Sequence, residues 1–343
     1  MELTQAQKLW EPEPGFLNTA SFGLPPRPGW EALQSALDDW RAGRTSWERW
    51  NEAAELARAV FARLIGVPGE DVAVGSTVSQ VLSTVAAALP AGTRVVAPDI
   101  EFSSALYPFL ASGGAKVRTG AVAGLPSIVD SSTDVVVFSL VQSSTGEVAP
   151  YDEIVAAART AGALVVVDAT QACGWLPFNA AAADVVAVSA YKWLMSPRGS
   201  AFAYLSPRVR ERMTPFAAGW YSADDVHGSY YGLPMVLAPS ARRFDISPAW
   251  FSFVGTVPTL ELVEKIGVRA IHDHNVGLAN RFLDGLGQPG SDSAIVTVAV
   301  PGAPEKLAAA GIRAAVRAGR VRASFHVYTR QSDVDAAVTA LVS

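Results

Sequence analysis

Short apolar runs alternate with amphipathic stretches along most of this chain. From residue 71, DVAVGSTVSQVLSTVAAAL reads as a strand, a tight turn and a helix. Further strands are predicted at TRVVAP (93–98), AKVRTGAV (115–122), DVVVFSLV (134–141), ALVVVDAT (163–170), ADVVAVSA (183–190) and SAFAYLS (200–206). Between them, EFSSALYPFLASG (101–113) and YDEIVAAARTAG (151–162) carry helical spacing. Nearly continuous apolar strands interleaved with helices predict an α/β fold. Its sheet is mostly parallel and covered on both faces.

The flanks differ. Residues 1–30 read as an irregular arm, with turn formers in FLNTASFGLPPRPG (16–29). Residues 30–65 read as helices, with apolar positions at spacings of three and four from Trp47 to Ile65. Residues 210–250 are rich in aromatics, Gly and Pro, too long a stretch for an ordinary connection. After FSFVGTVPTLELVEKIG (251–267), which begins a helix, a smaller α+β unit is predicted. It consists of SAIVTVAV (strand), PEKLAAAG (helix), VRASFHV (strand) and QSDVDAAVTALV (helix). The expected division is an arm at 1–15, a large domain at 16–240 and a small domain at 241–343, to which the arm contributes.

Composition narrows the function classes. At 343 residues and about 50% apolar, the chain can build a large core and a second, smaller one. The net charge of -5 comes with scattered basic residues, which gives no footprint for nucleic acid. A single cysteine, Cys173, leaves no intrachain disulfide framework and no multi-cysteine metal site, and fits a cytoplasmic setting. No basic patch followed by an apolar run opens the chain, and no apolar run is long enough to span a bilayer. No metal site is expected. A βα pattern also suits dinucleotide binding, but no GxGxxG follows the first strand and no P-loop lysine is present.

Three spaced elements carry chemistry. Asp168 ends a buried strand in VVVDATQACG. Lys192 follows the next one in SAYKW (189–193). GSTVSQ (75–80) forms a strand-to-helix turn. In this order and spacing they resemble the class V aminotransferases, within the fold type I enzymes that use pyridoxal phosphate (PLP). That family includes cysteine desulfurases, kynureninase-like enzymes and carbon–sulfur lyases of thiol biosynthesis. The resemblance runs from about Phe16 to the end of the chain.

The resemblance implies that Lys192 forms an imine with the aldehyde of PLP and later moves the substrate Cα proton. It implies that Asp168 pairs with the pyridine nitrogen and that Gln171 lies near the phenolic oxygen. An aspartate at a strand end also commonly caps a helix. Ser76 and Thr77 fall where free backbone N–H groups and the helix dipole suit a phosphate, though the same residues make an ordinary cap. Ser189 and Tyr191 are implied as further phosphate ligands, with Tyr191 where desulfurases have histidine. Phe102 matches the position that stacks on the pyridine ring, and a core phenylalanine fits there too. Arg322 in VRASFHVY matches the clamp for the substrate carboxylate, a task that suits its bidentate fork. It is placed at the opening of a strand. Asn18, Ala20 and Gly23 lie in a segment that closes over the site in relatives.

Other assignments concern the pocket and the partner. SPAW stands where relatives have a GTPN-like stretch that reaches the partner subunit's phosphate, and the resemblance implies Ser247 as the candidate donor. This is also the argument for a homodimer with the active site at its interface. Trp220, Tyr221 and Trp250 suit a substrate pocket, an interface or a core. His326 and Ser143 are further pocket positions. Ser143 stands where the desulfurases have asparagine. The desulfurase cysteine is missing, since Cys173 follows the Asp168 turn and the segment before VRASF is too short for the catalytic loop.

The expected function is a PLP-dependent enzyme acting on an amino acid or cysteine conjugate, aminotransferase-like. The sequence leaves open β-elimination, as in C–S cleavage of a cysteine conjugate or a histidine-derived sulfoxide in ergothioneine formation. It also leaves open racemisation or epimerisation, and a non-catalytic dimer of the same fold.

Overall fold

The computed structural model describes residues 1–343. Twelve helices are α1 (Leu3–Ala6), α2 (Arg27–Arg41), α3 (Trp47–Ile65), α4 (Val78–Ala87), α5 (Ser103–Ala111), α6 (Leu125–Ile128), α7 (Tyr151–Ala161), α8 (Pro207–Arg210), α9 (Trp250–Ile266), α10 (Val268–Gly285), α11 (Ala303–Ala309) and α12 (Gln331–Val342). Ten strands are β1 (Val72–Gly75), β2 (Arg94–Pro98), β3 (Lys116–Gly120), β4 (Val135–Ser139), β5 (Leu164–Asp168), β6 (Val185–Ser189), β7 (Ala201–Leu205), β8 (Ile295–Val298), β9 (Ala315–Arg317) and β10 (Arg320–Ser324).

The first seven strands form one sheet in the order β1-β7-β6-β5-β4-β2-β3. Only β7 runs against its neighbours, pairing antiparallel with β1 and β6. The sheet is therefore the mostly parallel α/β sheet expected from the apolar runs. β4 and β6 are buried at every position, because helices cover both faces. One face packs Val136, Phe138, Val165 and Val167 into a large core with α3, α7 and α9. The opposite face packs Val135, Val137 and Val166 against α4 and α5. Parallel strands align their C-terminal ends, so Ser139, Asp168 and Ser189 come to one edge. Ser139 lies opposite Asp168 in the β4–β5 register.

The second sheet is antiparallel, in the order β8-β10-β9, and has its own core with α10, α11 and α12. The β9–β10 hairpin turns at Ala318 and Gly319, both with positive φ. Arg322 sits mid-strand in β10, paired with Thr297 and Ala315, rather than at the strand's opening. The arm joins this sheet through residues just beyond position 15. Asn18 bridges Ser324, Phe16 bridges Arg313, and Leu17 is buried in the small core.

Helix packing does not change at residue 241, where the sequence suggested a boundary. α9 packs along α2 and α3, and its buried residues belong to the large core. α10, which begins after Gly267, packs on α12 instead. The apolar faces of α2 and α3 need a cover, and α9 supplies it before the chain turns to the small sheet. No helix is long and apolar enough to cross a membrane. No group of three or more His, Cys, Asp or Glu side chains is placed to hold a metal ion.

Candidate active site

A polar cleft opens at the C-terminal edge of the large sheet, as expected for a ligand site on an open α/β sheet. Its lining includes Thr77, Phe102, Ser143, Asp168, Gln171, Ser189, Tyr191 and Lys192. These residues come from five separate segments, brought together because β1, β2, β4, β5 and β6 all end on this side of the sheet. A larger groove lies elsewhere, about 600 Å³ against the arm, and is lined by Trp10, Phe16, Phe22 and Trp30 among others. It contains no lysine, serine or aspartate, so the chemistry belongs to the smaller cleft.

Lys192 is buried, with Nζ 5.6 Å from the centre of the Phe102 ring. Burial lowers its pKa to about 8. Asp168 opposes that shift, while Arg322, Arg198 and Arg317 add to it. The amine is therefore far more often neutral near pH 8 than an ordinary lysine. The segment around it is fixed from three sides. Gly23 N–H donates to Tyr191 O at 2.9 Å. Met195 N–H donates to Lys192 O at 3.0 Å, with Met195 held at φ 53. His326 Nε2 lies 2.9 Å from Trp193 O.

Asp168 is buried at the end of β5, and burial raises its pKa against the pull of Thr170 and Lys192. Thr170 N–H donates to its Oδ1 at 2.9 Å. Gln171 braces two neighbours. Its Nε2 donates to Ala20 O at 2.9 Å, and its Oε1 accepts from Trp193 Nε1 at 2.8 Å.

The start of α4 faces the same cleft. Thr77 is its N-cap, with Oγ1 accepting from Gln80 N at 3.2 Å, and Ser189 Oγ accepts from Val78 N at 3.2 Å. Ser76 stands one residue back. Its N–H is taken by Gln80 Oε1, so it adjoins the cleft without lining it.

Arg322, on the small sheet, donates to the main-chain oxygen of Ser143, which lines the cleft, without lining the cleft itself. It is 2% exposed, yet its guanidinium meets only neutral oxygens, Ser143 O and Ser21 Oγ. Its Nε has no partner at all. Burial and Arg317 lower its pKa to about 10, so it remains charged at neutral pH. A buried, unpaired cation is costly unless an anion arrives to meet it. Asn18 supports this corner by accepting from Ser21 Oγ at 2.8 Å.

Five expected pocket positions lie outside the cleft lining, Asn18 among them. His326 is fully buried with both ring nitrogens engaged, Nδ1 accepting from Val327 N and Nε2 facing Trp193 O. Burial lowers its pKa to about 3, so it is a neutral brace for the Lys192 segment. Trp220 and Trp250 pack against Trp47 in an aromatic cluster. Tyr221 is buried beside it, with its hydroxyl on Asn51 and Glu55. Ser247 is exposed just before α9, also outside the cleft.

Sequence reading missed Ser79, Ser104, Ser139, Thr170 and Arg198, which also line the cleft. Ser139 was discoverable, because it ends the strand that pairs with Asp168. Arg198 carried no local signal. Its guanidinium lies 4.5 Å from the Tyr191 ring centre, a contact made only once the loop is folded.

The lining fits PLP. A cofactor of that kind needs a buried amine of lowered pKa, a buried carboxylate and a helix start for its phosphate. Lys192, Asp168 and the α4 N-terminus provide them in one cleft. Cys173 is buried away from the lining, and burial pushes its thiol up to about 12.

Comparison with known proteins agrees. The family model "Aminotransferase class-V" matches residues 40–298. An uncharacterized aminotransferase of Bacillus subtilis, YcbU, is 28% identical over 260 residues, covering 71% of this chain and 67% of that protein. A kynureninase of Salinispora tropica is 30% identical over 319 residues, covering 82% and 74%. Among solved structures, the cysteine desulfurase CsdA of Escherichia coli superposes with a TM-score of 0.84 at 21% identity, covering 100% and 98%. The cystine C–S lyase C-DES gives a TM-score of 0.86 at 20% identity, covering 96% and 98%. The chain belongs to the class-V aminotransferase family and is a PLP-dependent transferase or lyase.

Proposed function

We propose that this enzyme transfers the amino group of an α-amino acid, with Lys192 as the residue that moves the Cα proton. The observation that carries the proposal is the buried Lys192 amine, lowered to about 8, in one cleft with buried Asp168. When bound, PLP supplies an electron-withdrawing ring that acidifies the substrate Cα–H. Asp168 would keep a proton on the pyridine nitrogen. Phe102 would cover one face of the ring. The α4 N-terminus, Thr77, Ser189 and Tyr191 would hold the phosphate. Gln171 braces the arm and Trp193 beside that position. Arg322 takes the substrate carboxylate, with Ser143 and Asn18 holding its corner.

The lining supports one-base chemistry. Lys192 is its only lysine, and it contains no histidine or cysteine. Phe102 stands where an imidazole would otherwise serve as a second acid. That composition favours returning the proton through Lys192 over epimerisation, which needs a donor on the opposite face. It also gives no support to a persulfide route.

The assembly we propose is a homodimer in the cytoplasm. Tyr231 and Leu233 are 94% and 90% exposed, with Met235 beside them, and such a run marks an interaction surface. Ser247, exposed before α9, is the proposed donor to the partner's phosphate. The single buried thiol fits a reducing compartment.

The test is spectroscopic and then chemical. PLP-reconstituted protein is expected to show a band at roughly 410–430 nm that Lys192→Ala abolishes. Amino acids are then supplied with and without a keto acid. Stoichiometric conversion of the keto acid establishes transfer. Pyruvate and ammonia released from a cysteine conjugate without an acceptor would replace transfer by elimination. No band in the wild type would refute the site assignment.

A further inference from the structure

Glu101 is a partly buried carboxylate that none of the steps above uses. It precedes Phe102, and every group on it is a neutral donor. Oε1 accepts from Phe102 N–H at 2.7 Å and from the Ser139 hydroxyl. Oε2 accepts from Ser139 N–H at 2.7 Å and from Gln142 Nε2 at 3.1 Å. A carboxylate held by four donors satisfies its charge through directed hydrogen bonds, which fix position more sharply than a mobile ion pair. Burial still raises its pKa against those four donors.

The donors lead to both halves of the site. Ser139 ends β4 opposite Asp168. Gln142 opens a turn closed by Gly146 N–H to Gln142 O at 2.8 Å. That turn meets the small sheet so closely that a Cβ on Gly146 would lie 1.9 Å from Ile295 O. Ser143, the next residue, gives its carbonyl oxygen to Arg322. One carboxylate thus ties the segment carrying Phe102 to the turn that seats Arg322. These two groups come from different sheets and share no direct hydrogen bond.

We propose that Glu101 is a positioning residue that sets the ring-covering Phe102 and the carboxylate-binding Arg322 relative to each other. This rests on the cofactor reading above. Replacing the carboxylate by an amide removes one acceptor and aims an N–H at existing donors. The loss is then felt at both ends of the connection.

The test uses the holoenzymes of Glu101→Gln, Glu101→Asp and Ser139→Ala. Glu101→Gln is expected to weaken PLP binding and raise the amino acid KM, each by about ten- to a hundredfold, the size of one or two lost charged hydrogen bonds. It is also expected to reduce the circular dichroism of the cofactor band. Glu101→Asp should restore part of each change. A purely structural role predicts a lower melting temperature and a smaller active fraction, with KM and the cofactor dichroism unmoved; that result overturns the inference. If Glu101→Gln does not fold, Ser139→Ala decides. It removes one donor and should shift KM and dichroism in the same direction; unchanged values overturn the inference. A wild type without a cofactor band would instead defeat the cofactor reading.

Discussion

Gly23 lies against the main-chain oxygen of Lys192, where a Cβ would fall 2.0 Å from that oxygen. Backbone here meets backbone, so no flexible side chain can yield. Gly23→Ala must push the arm or the Lys192 segment away. Overpacking of this kind costs about 1–3 kcal/mol. The expected result is a lower melting temperature and PLP affinity reduced about tenfold, read by fluorescence titration. Unchanged PLP affinity would show that the arm is not part of the clamp on Lys192.

The unpaired state of Arg322 makes a kinetic prediction. Its guanidinium meets Ser143 O and Ser21 Oγ but no carboxylate. Arg322→Lys keeps a charge but loses the fork, so KM for the amino acid is expected to rise about tenfold or more, with kcat changing less. With its pKa at about 10, the wild-type side chain stays charged from pH 6 to 9. Titration of Arg322 should therefore leave KM flat across that range. Equal falls in kcat and kcat/KM for Arg322→Lys would place the residue outside substrate binding.

Much of this site was legible in the sequence, for a physical reason. Asp168 and Ser189 end runs of consecutive apolar residues, and parallel strands bring such ends to one edge. Thr77 stands at a strand-to-helix switch, where unpaired amides must lie. The aromatic residues were harder. Trp220 and Trp250 pack on Trp47, a partner far away in the sequence. Nothing local distinguishes that cluster from a substrate pocket. His326 misled similarly, because its role depends on Trp193 O reaching its Nε2. The α9 boundary was missed because its apolar face reads the same whichever core it joins.

Lys192 gives a pH dependence. Burial holds its pKa near 8, against 10.5 for an ordinary lysine. Covalent capture of PLP by the apo-protein needs the neutral amine. The capture rate should rise with pH and level off above about 8, as followed by rapid-mixing absorbance. Stability follows the same group. Between about 8 and 10.5 the unfolded lysine holds a proton that the folded one has released, so apo-protein stability should rise with pH across that window. A capture profile still climbing steeply at pH 10 would mean that the amine is not desolvated.

The support beneath the phosphate-facing turn is a buried ion pair. Asp245, fully buried, accepts from Arg58 Nη2 at 2.5 Å and from Val74 N at 2.7 Å. Arg58 also donates to Val72 O at 2.6 Å, so the pair grips β1 at Val72 and Val74, ahead of Gly75 and Ser76. Burial opposes the charge on Arg58, but Asp245 and Glu55 outweigh it and hold the guanidinium charged. Removing Asp245 leaves Arg58 paired with Glu55 alone, at the more exposed end of the cluster. Asp245→Ala also leaves an unpaired Val74 N–H, and the lost charged hydrogen bonds should cost about 2–3 kcal/mol. Asp245→Asn keeps a polar group near Val74 and should cost less. Chemical denaturation of both variants checks this, with PLP titration alongside. Because β1 leads directly into Thr77, the alanine variant is expected to bind PLP more weakly even where it remains folded. Full PLP affinity in a folded but destabilised Asp245→Ala protein would mean that the turn holds its shape without the pair.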